Sequence, residues 1–342
     1  MESTHGRVIN RQVVLRTRPR NEVTEDCFDV VERPVPELGP GEALLEVKYV
    51  GIDPTIRGWL DERGNYLPGV ALGEPIRSNG VGLVVATNDE NKYPLGRAIM
   101  AMVGWQQYRV LEADEFLPIT VLDEGVELLD TLNVLGHNGL TAYLGVTEVA
   151  KPEAGETFVV SAAAGAVGSI AGQIAKLRGA RVIGIAGSPA KCAWVVDDLG
   201  FDACIDYKSE DVAARLKELA PRGIDVFFDN VGGELLDTVL RRLANRGRVV
   251  LCGDISSYDR AGPPPPLHNL KYLMGKRARM EGFNTLDHWD SYAAGAAQLA
   301  AWVADGSIKH REHVLEGIDR APEGLVRLFS GDHLGKLVVK LD

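Results

Sequence analysis

Thr157-Phe158-Val159-Val160 is an apolar run. Ser161-Ala162-Ala163-Ala164-Gly165-Ala166-Val167-Gly168-Ser169 follows without a break, and after a helical pattern comes Arg181-Val182-Ile183-Gly184-Ile185-Ala186-Gly187-Ser188. The order reads as strand, glycine turn, helix, strand, the unit that holds a dinucleotide pyrophosphate. Such a turn needs small residues, because the chain must reverse tightly, its backbone must approach the phosphates and the helix must sit close on its strand. Ala164, Gly165 and Gly168 meet that need. The pyrophosphate would then face the N–H groups at the helix start, where the dipole favours negative charge.

The end of the second strand selects the dinucleotide. An NAD site places Asp or Glu about 20 residues after the glycines to hold the ribose 2′-hydroxyl. Here the chain reads Ala186-Gly187-Ser188. An acidic side chain would repel a 2′-phosphate, whereas small residues leave room for one, and Lys191 follows as a cation within reach. The reading is NADP(H), against the alternative that Lys191 is an ordinary solvated lysine at a helix start.

A chain of 342 residues predicts about two domains. With 45% hydrophobic and 25% charged residues, the composition is that of a soluble globular protein with ample core. The balance of 37 Lys and Arg against 48 Asp and Glu, a net −11, argues against nucleic acid or anionic membranes as partners. No basic segment followed by an apolar one opens the chain, and no apolar run is long enough to span a bilayer, so a cytoplasmic protein is expected. Gly168 and Gly172 match the spacing of a membrane-helix contact, but Gln173 and Lys176 follow at once and rule that reading out. Cys27, Cys192, Cys204 and Cys252 show no paired spacing and read as single buried thiols rather than a disulfide framework or a zinc ribbon. His310 and His313 lack a nearby third ligand and read as surface histidines, not a metal pair.

Up to residue 135 the sequence is rich in short alternating runs, Gln12-Val13-Val14-Leu15-Arg16, Phe28-Asp29-Val30-Val31-Glu32, Ala43-Leu44-Leu45-Glu46-Val47 and Val81-Gly82-Leu83-Val84-Val85. Glycine and proline punctuate them, which predicts a curled antiparallel sheet or barrel. From 136 strands and helices alternate: a strand over 203–206, a helix over 211–220, a strand over 224–229, a helix over 234–243 and strands over 248–252 and 279–283. That pattern predicts a doubly wound parallel sheet. The C-terminal Leu337-Val338-Val339-Lys340-Leu341 is again a strand and is expected to rejoin the first domain. The expected division is therefore 1–135 with 312–342 as one domain and 136–311 as an inserted nucleotide-binding domain. Pro263-Pro264-Pro265-Pro266 lies in a segment, 256–267, read as a stiff loop over a site rather than as a polyproline ligand.

Several motifs now stand in a familiar order: Asp53-Pro54-Thr55-Ile56-Arg57-Gly58, Leu135-Gly136 with Gly139-Leu140-Thr141-Ala142-Tyr143, the glycine turn, Phe228-Asp229-Asn230-Val231-Gly232-Gly233, Cys252-Gly253 with Ile255-Ser256-Ser257-Tyr258, and Gly331-Asp332 with Leu334-Gly335-Lys336. Together they resemble the zinc-free medium-chain dehydrogenase/reductase superfamily, in its NADPH-dependent alkenal/one oxidoreductase group. The resemblance runs over nearly the whole chain. It implies a GroES-like, mainly β catalytic domain carrying an inserted Rossmann domain, an expected homodimer, and reduction of the C=C bond of α,β-unsaturated ketones or aldehydes by NADPH. Zinc-dependent relatives need a Cys, a His and a further ligand. This chain has Gly51-Ile52-Asp53 where their first cysteine stands, so no metal is expected.

Carried over motif by motif, the resemblance implies that Gly165, Ala166 and Val167 meet the pyrophosphate, that Lys191 and Tyr207 grip the 2′-phosphate, and that Asn230 bonds the cofactor ribose or a nearby phosphate. It also places Thr141, Ala164, Gly168, Gly187, Ser188, Cys252, Phe283 and His333 at the cofactor and Tyr258 in the substrate pocket. Three departures from the family pattern stand out: Thr55 where tyrosine is usual, His137-Asn138 where Met-Pro is usual, and His333 where asparagine is usual. The expected substrate is a small-molecule enone or enal, bulkier or with an extra polar group because of these departures, with Thr55 and Asn138 in its pocket and Tyr258, then His137, as candidate donors to its carbonyl oxygen. Quinone reduction and a non-catalytic, NADPH-binding role are the alternatives.

Overall fold

The computed structural model describes residues 8–341 except 66 and 261, and not the side chains of 286 and 289. The chain divides into two compact units. The first comprises the chain up to Leu132, His313–His333 and the chain from Leu337 on; the second comprises Asn133–Glu312 and Leu334–Lys336.

The first unit opens with strands β1 (Ile9–Leu15), β2 (Phe28–Pro34) and β3 (Ala43–Gly51), then helix α1 (Thr55–Trp59) and strands β4 (Asn79–Thr87), β5 (Ala98–Met102), β6 (Tyr108–Leu111) and β7 (Thr120–Val121), and a short helix α2 (Leu128–Leu132). β1 and β2 form a two-stranded antiparallel ribbon. β3 pairs antiparallel with β4 and β6, and β4 with β5. Leu45, Val47 and, past a register shift in β3, Val50 are buried in one core with Trp105, Tyr93 and Phe28. The rings of Phe28 and Trp105 lie 5.4 Å apart.

The second unit contains α3 (His137–Leu144), β8 (Thr157–Ser161), α4 (Ala166–Leu177), β9 (Arg181–Ala186), α5 (Pro189–Ala193), β10 (Ala203–Asp206), α6 (Val212–Leu219), β11 (Ile224–Asp229), α7 (Gly233–Leu240), β12 (Leu243–Leu251), α8 (Ile255–Tyr258), α9 (Lys271–Lys276), β13 (Arg279–Gly282) and α10 (Tyr292–Ala304). Its six strands lie in the order β10-β9-β8-β11-β12-β13, all parallel. Every residue of β8 is buried, as a strand covered on both faces requires. Phe158 and Val160 enter one cluster with α4, and Val159 enters another with α6 and α7. The order reverses between β8 and β11, and the C-terminal ends of strands at such a switch point are where ligands bind in sheets of this kind.

The chain returns through β14 (Glu312–Glu316) and α11 (Ala321–Ser330) to β15 (Lys336–Lys340). β15 pairs antiparallel with β3, so the C-terminal strand does rejoin the first sheet.

Two expectations are corrected. The helix read over 234–243 stops at Leu240, and β12 begins at Leu243, well before the expected 248. Ile224 N–H donates to the Arg242 carbonyl at 2.9 Å and Leu243 pairs with Ile224, so β11 captures this segment; Arg246, at φ 62°, carries the resulting bulge. The segment read as loop over 256–267, which includes residue 261 outside the described residues, starts with a helical turn, Ile255–Tyr258.

Close packing of α4 yields a stability prediction. A Cβ on Gly172 would lie 2.0 Å from Cζ of Phe201. Alanine is favoured over glycine by about 1 kcal/mol inside a helix, yet overpacking costs about 1–3 kcal/mol. Gly172→Ala should therefore lower the melting temperature. A rise in thermal melting would show that Phe201 yields without cost.

Candidate functional site

The glycine turn is held by steric and hydrogen-bond constraints that leave little choice of residue. A Cβ at Gly168 would lie 2.3 Å from the Ala162 carbonyl oxygen, and one at Gly165 3.2 Å from the same atom. Ala162 itself takes a left-handed backbone (φ 48°), a conformation non-glycine residues pay for and keep only where the surroundings impose it. Those surroundings are visible: Gly165 N–H donates to Ala162 at 2.9 Å, Ala163 N–H to Ile185 of β9 at 3.0 Å, and Gly335 N–H to Ala164 at 2.9 Å. Gly335, at φ 76°, has no room for a side chain either, since its Cβ would stand 1.9 Å from the Arg311 carbonyl oxygen. Gly165 caps α4, whose first N–H groups point out of the helix end, as an anion site requires.

β9 ends at Ala186, two residues short of the run read from the sequence, because Ser188 caps α5: its hydroxyl accepts Lys191 N–H at 3.2 Å and Pro189 starts the helix. The Tyr207 ring covers Gly187, where a Cβ would lie 2.8 Å from Cε1 and 3.0 Å from Oη. Gly187, Ser188, Lys191 and Tyr207 thus meet at the ends of β9 and β10. Asp206, directly before Tyr207, is turned into its own turn, accepting from Lys208 N–H at 3.1 Å and from the Ser209 hydroxyl at 2.8 Å. Cys192 of α5 and Cys204 of β10 are thiol neighbours, and burial pushes both thiols up. This corrects the reading of four isolated buried cysteines: only Cys27 is fully buried, and helix and strand bring together two that lie twelve positions apart.

At the switch point stands a group that sequence reasoning passed over. Asp229, fully buried at the end of β11, accepts the Ser161 hydroxyl at 2.8 Å, Val231 N–H at 3.0 Å and Gly232 N–H at 3.1 Å. Burial pushes its carboxyl up, and the two N–H groups and the Ser161 hydroxyl pull against that rise. Asn230 donates its backbone N–H to Ser161 Oγ and its side-chain N–H to the Ser161 carbonyl, each at 2.8 Å. Cys252 N–H reaches the Asp229 carbonyl at 2.9 Å, and burial pushes the Cys252 thiol up to about 12. Beyond β12, Tyr258 is half-exposed on α8, and its Oη accepts the backbone N–H of Asp254 at 3.1 Å.

The remaining candidates are spread more widely. His137 opens α3 and is exposed, whereas its neighbour Asn138 is buried, so the two do not share a face. The Thr141 hydroxyl donates to the His137 carbonyl at 2.7 Å. Phe283 packs on Gly145 beside Phe228, in the core of its unit. Thr55 starts α1 of the first unit. His333 belongs to the first unit and directly precedes the three residues, Leu334–Lys336, held by the second. His310, expected at the surface, is instead largely buried and bonded through Nδ1 to Glu312 at 2.8 Å.

Residues 11–119 match the profile of an N-terminal domain of oxidoreductase, and residues 166–302 that of a zinc-binding dehydrogenase. The chain is 35% identical to NADPH-dependent curcumin reductase of Escherichia coli over 337 residues, covering 97% of each. It is 37% identical to the NADP-dependent 2-alkenal reductase of Nicotiana tabacum over 338 residues, again 97% of each. Among solved structures, that of CurA from Vibrio vulnificus in complex with NADPH superposes with a TM-score of 0.91 at 37% identity, over 97% of this chain and 99% of that one. At such identity over essentially the full length, with the parallel sheet, glycine turn and antiparallel unit in place, the chain belongs to the zinc-free medium-chain dehydrogenase/reductase superfamily, in its NADPH-dependent alkenal/one oxidoreductase group.

Proposed function

We propose that the protein reduces the C=C bond of α,β-unsaturated ketones and aldehydes with NADPH. The observation that carries this reading is the full-length identity to curcumin and 2-alkenal reductases, joined to a turn and strand ends that fit the cofactor. Gly165, Ala166, Val167 and Gly168 would hold the pyrophosphate against the start of α4. Lys191, Tyr207 and Ser188 would hold the 2′-phosphate beside Gly187, which stands where an NAD site carries its acid. Asn230, with Ala164, Thr141, Cys252, Phe283 and His333, completes the proposed cofactor set.

NADPH, when bound, supplies a hydride to the β-carbon of the substrate. The protein must then stabilise the negative charge that gathers on the carbonyl oxygen and bring a proton to the α-carbon. Tyr258 is the proposed donor to that oxygen. Its own oxygen accepts the Asp254 N–H, and hydrogen bonds in such a chain polarise one another, which strengthens the phenol as a donor. His137, exposed at the start of α3, is the proposed second donor, and Thr55 and Asn138 are proposed substrate positions. A cytoplasmic homodimer, as the family resemblance implies, completes the reading; no helix among the described residues is long and apolar enough to cross a membrane.

The direct test follows NADPH oxidation with an enone, an enal and a benzoquinone. Turnover of the first two above the third supports the proposal; quinone turnover alone, or none, overturns it. For the cofactor, NADPH should bind more tightly than NADH. Lys191→Ala should lose about 1.5–3 kcal/mol of NADPH binding, roughly tenfold to a hundredfold in Kd, with NADH affinity unchanged; equal Kd values for the two cofactors in the parent would contradict the reading. For the donors, Tyr258→Phe should lower kcat by roughly a hundredfold on every enone, because the carbonyl oxygen is common to them. His137→Met should instead shift the kcat/KM ratio between a polar and an apolar enone by roughly tenfold, leaving NADPH affinity alone. A constant ratio would remove His137 from substrate selection.

A further inference from the structure

We propose that the buried Ser161–Asp229 pair is a positioning unit that sets Asn230 and the Tyr258-bearing turn relative to the glycine turn, so that one carboxylate aligns the cofactor and the proton donor. This rests on the proposed role of Tyr258. Ser161 is the last residue of β8 and leads directly into the glycine turn. Its hydroxyl donates to Asp229 and accepts the N–H of Asn230, so a single side chain ties the turn after β8 to the turn after β11. All the contacts made to Asp229 are donated, by the Ser161 hydroxyl and the N–H groups of Val231 and Gly232, the last to both carboxylate oxygens. Three of these bonds, from Ser161, Val231 and Gly232, converge on one carboxylate oxygen, and Gly232 N–H also reaches the other.

The turn after β11 in turn holds the one after β12. Ile255 N–H donates to the Asn230 carbonyl at 3.3 Å and Ser256 N–H to the Val231 carbonyl at 3.0 Å. The Asp254 carboxylate lies where a Cβ of Gly232 would be, 1.9 Å from Oδ1, so it can occupy that place only because Gly232, at φ 72°, has no side chain. Ser257 Oγ donates to the Asp254 carbonyl at 3.0 Å and to its carboxylate, and Asp254 N–H reaches Tyr258 Oη. Ser161 thus bonds both Asp229 and Asn230, the Asn230 carbonyl holds Ile255 N–H, and Asp254, the residue before Ile255, bonds Tyr258 Oη. Neither Ser161 nor Asp229 need touch substrate: both act through their neighbours.

The test is a double-mutant cycle. Ser161→Ala should lower kcat for an enone roughly tenfold to a hundredfold, the effect of misplacing a reacting group by about an ångström, and weaken NADPH binding measured without substrate. Ser161→Thr, which keeps the hydroxyl, should restore both. If Ser161 acts on turnover through Tyr258, then in the Tyr258→Phe background Ser161→Ala should change kcat less than about threefold, because the coupled step is already lost. A role in stability alone would lower the melting temperature and leave kcat and NADPH affinity at parental values, which overturns the proposal. A full, additive kcat loss in the Tyr258→Phe background overturns the link to Tyr258. Asp229→Ala, which removes both acceptor oxygens, should repeat the Ser161→Ala pattern; parental kcat and NADPH affinity in it would also overturn the proposal. If the parent reduces no enone at all, the proposed activity fails, while the NADPH titration still reports on the pair's hold on Asn230.

Discussion

The contact between Gly168 and the Ala162 carbonyl is the constraint on which the nucleotide-binding unit depends. With 2.3 Å between that oxygen and the place of a Cβ, any side chain at Gly168 would drive α4 off β8. The helix end would then move away from the turn, and its N–H groups would no longer converge with the backbone of Gly165 to Val167. Ala162 pays for the closeness with a left-handed backbone. The strain is held by bonds from three directions: the turn itself, β9 and the remote Gly335. A turn built in this way is rigid before any ligand arrives, which would lower the ordering cost of the proposed pyrophosphate binding.

From that fixed turn, order passes sideways across the sheet rather than along the chain. Parallel strands have their C-terminal ends side by side, so the residues ending β8 and β11, Ser161 and Asp229, are neighbours although 68 positions separate them in sequence. A buried acid is the economical way to bind such ends together, since one carboxylate can accept several N–H and O–H groups that would otherwise be left unsatisfied in the interior. Asp229 fills that place at the switch point, where the sheet opens toward its ligand.

Much of this was legible in the sequence because it follows from local rules. Apolar runs of strand length, a turn of small residues and an amphipathic segment together specify a βαβ unit whatever surrounds them, and the absence of an acid after Ala186 is a fact of sequence alone. Errors came where tertiary contacts overrode propensity. Leu243 carries on the apolar pattern of α7, yet β11 captures it through Ile224. Nor does the sequence show which of two adjacent polar residues, His137 and Asn138, α3 exposes and which it buries.

The sequence by itself determined the two kinds of architecture, the family, the glycine turn and a second-strand end open to a 2′-phosphate, since each depends on residue type and short-range spacing. Only the tertiary structure decided that Ser161 meets Asp229, that Cys192 lies beside Cys204, and that Tyr207 covers Gly187. Those pairings are set by which strands lie next to each other in a parallel sheet and by the register between them. That information is carried by the packing of whole helices against the sheet, not by any short stretch of chain.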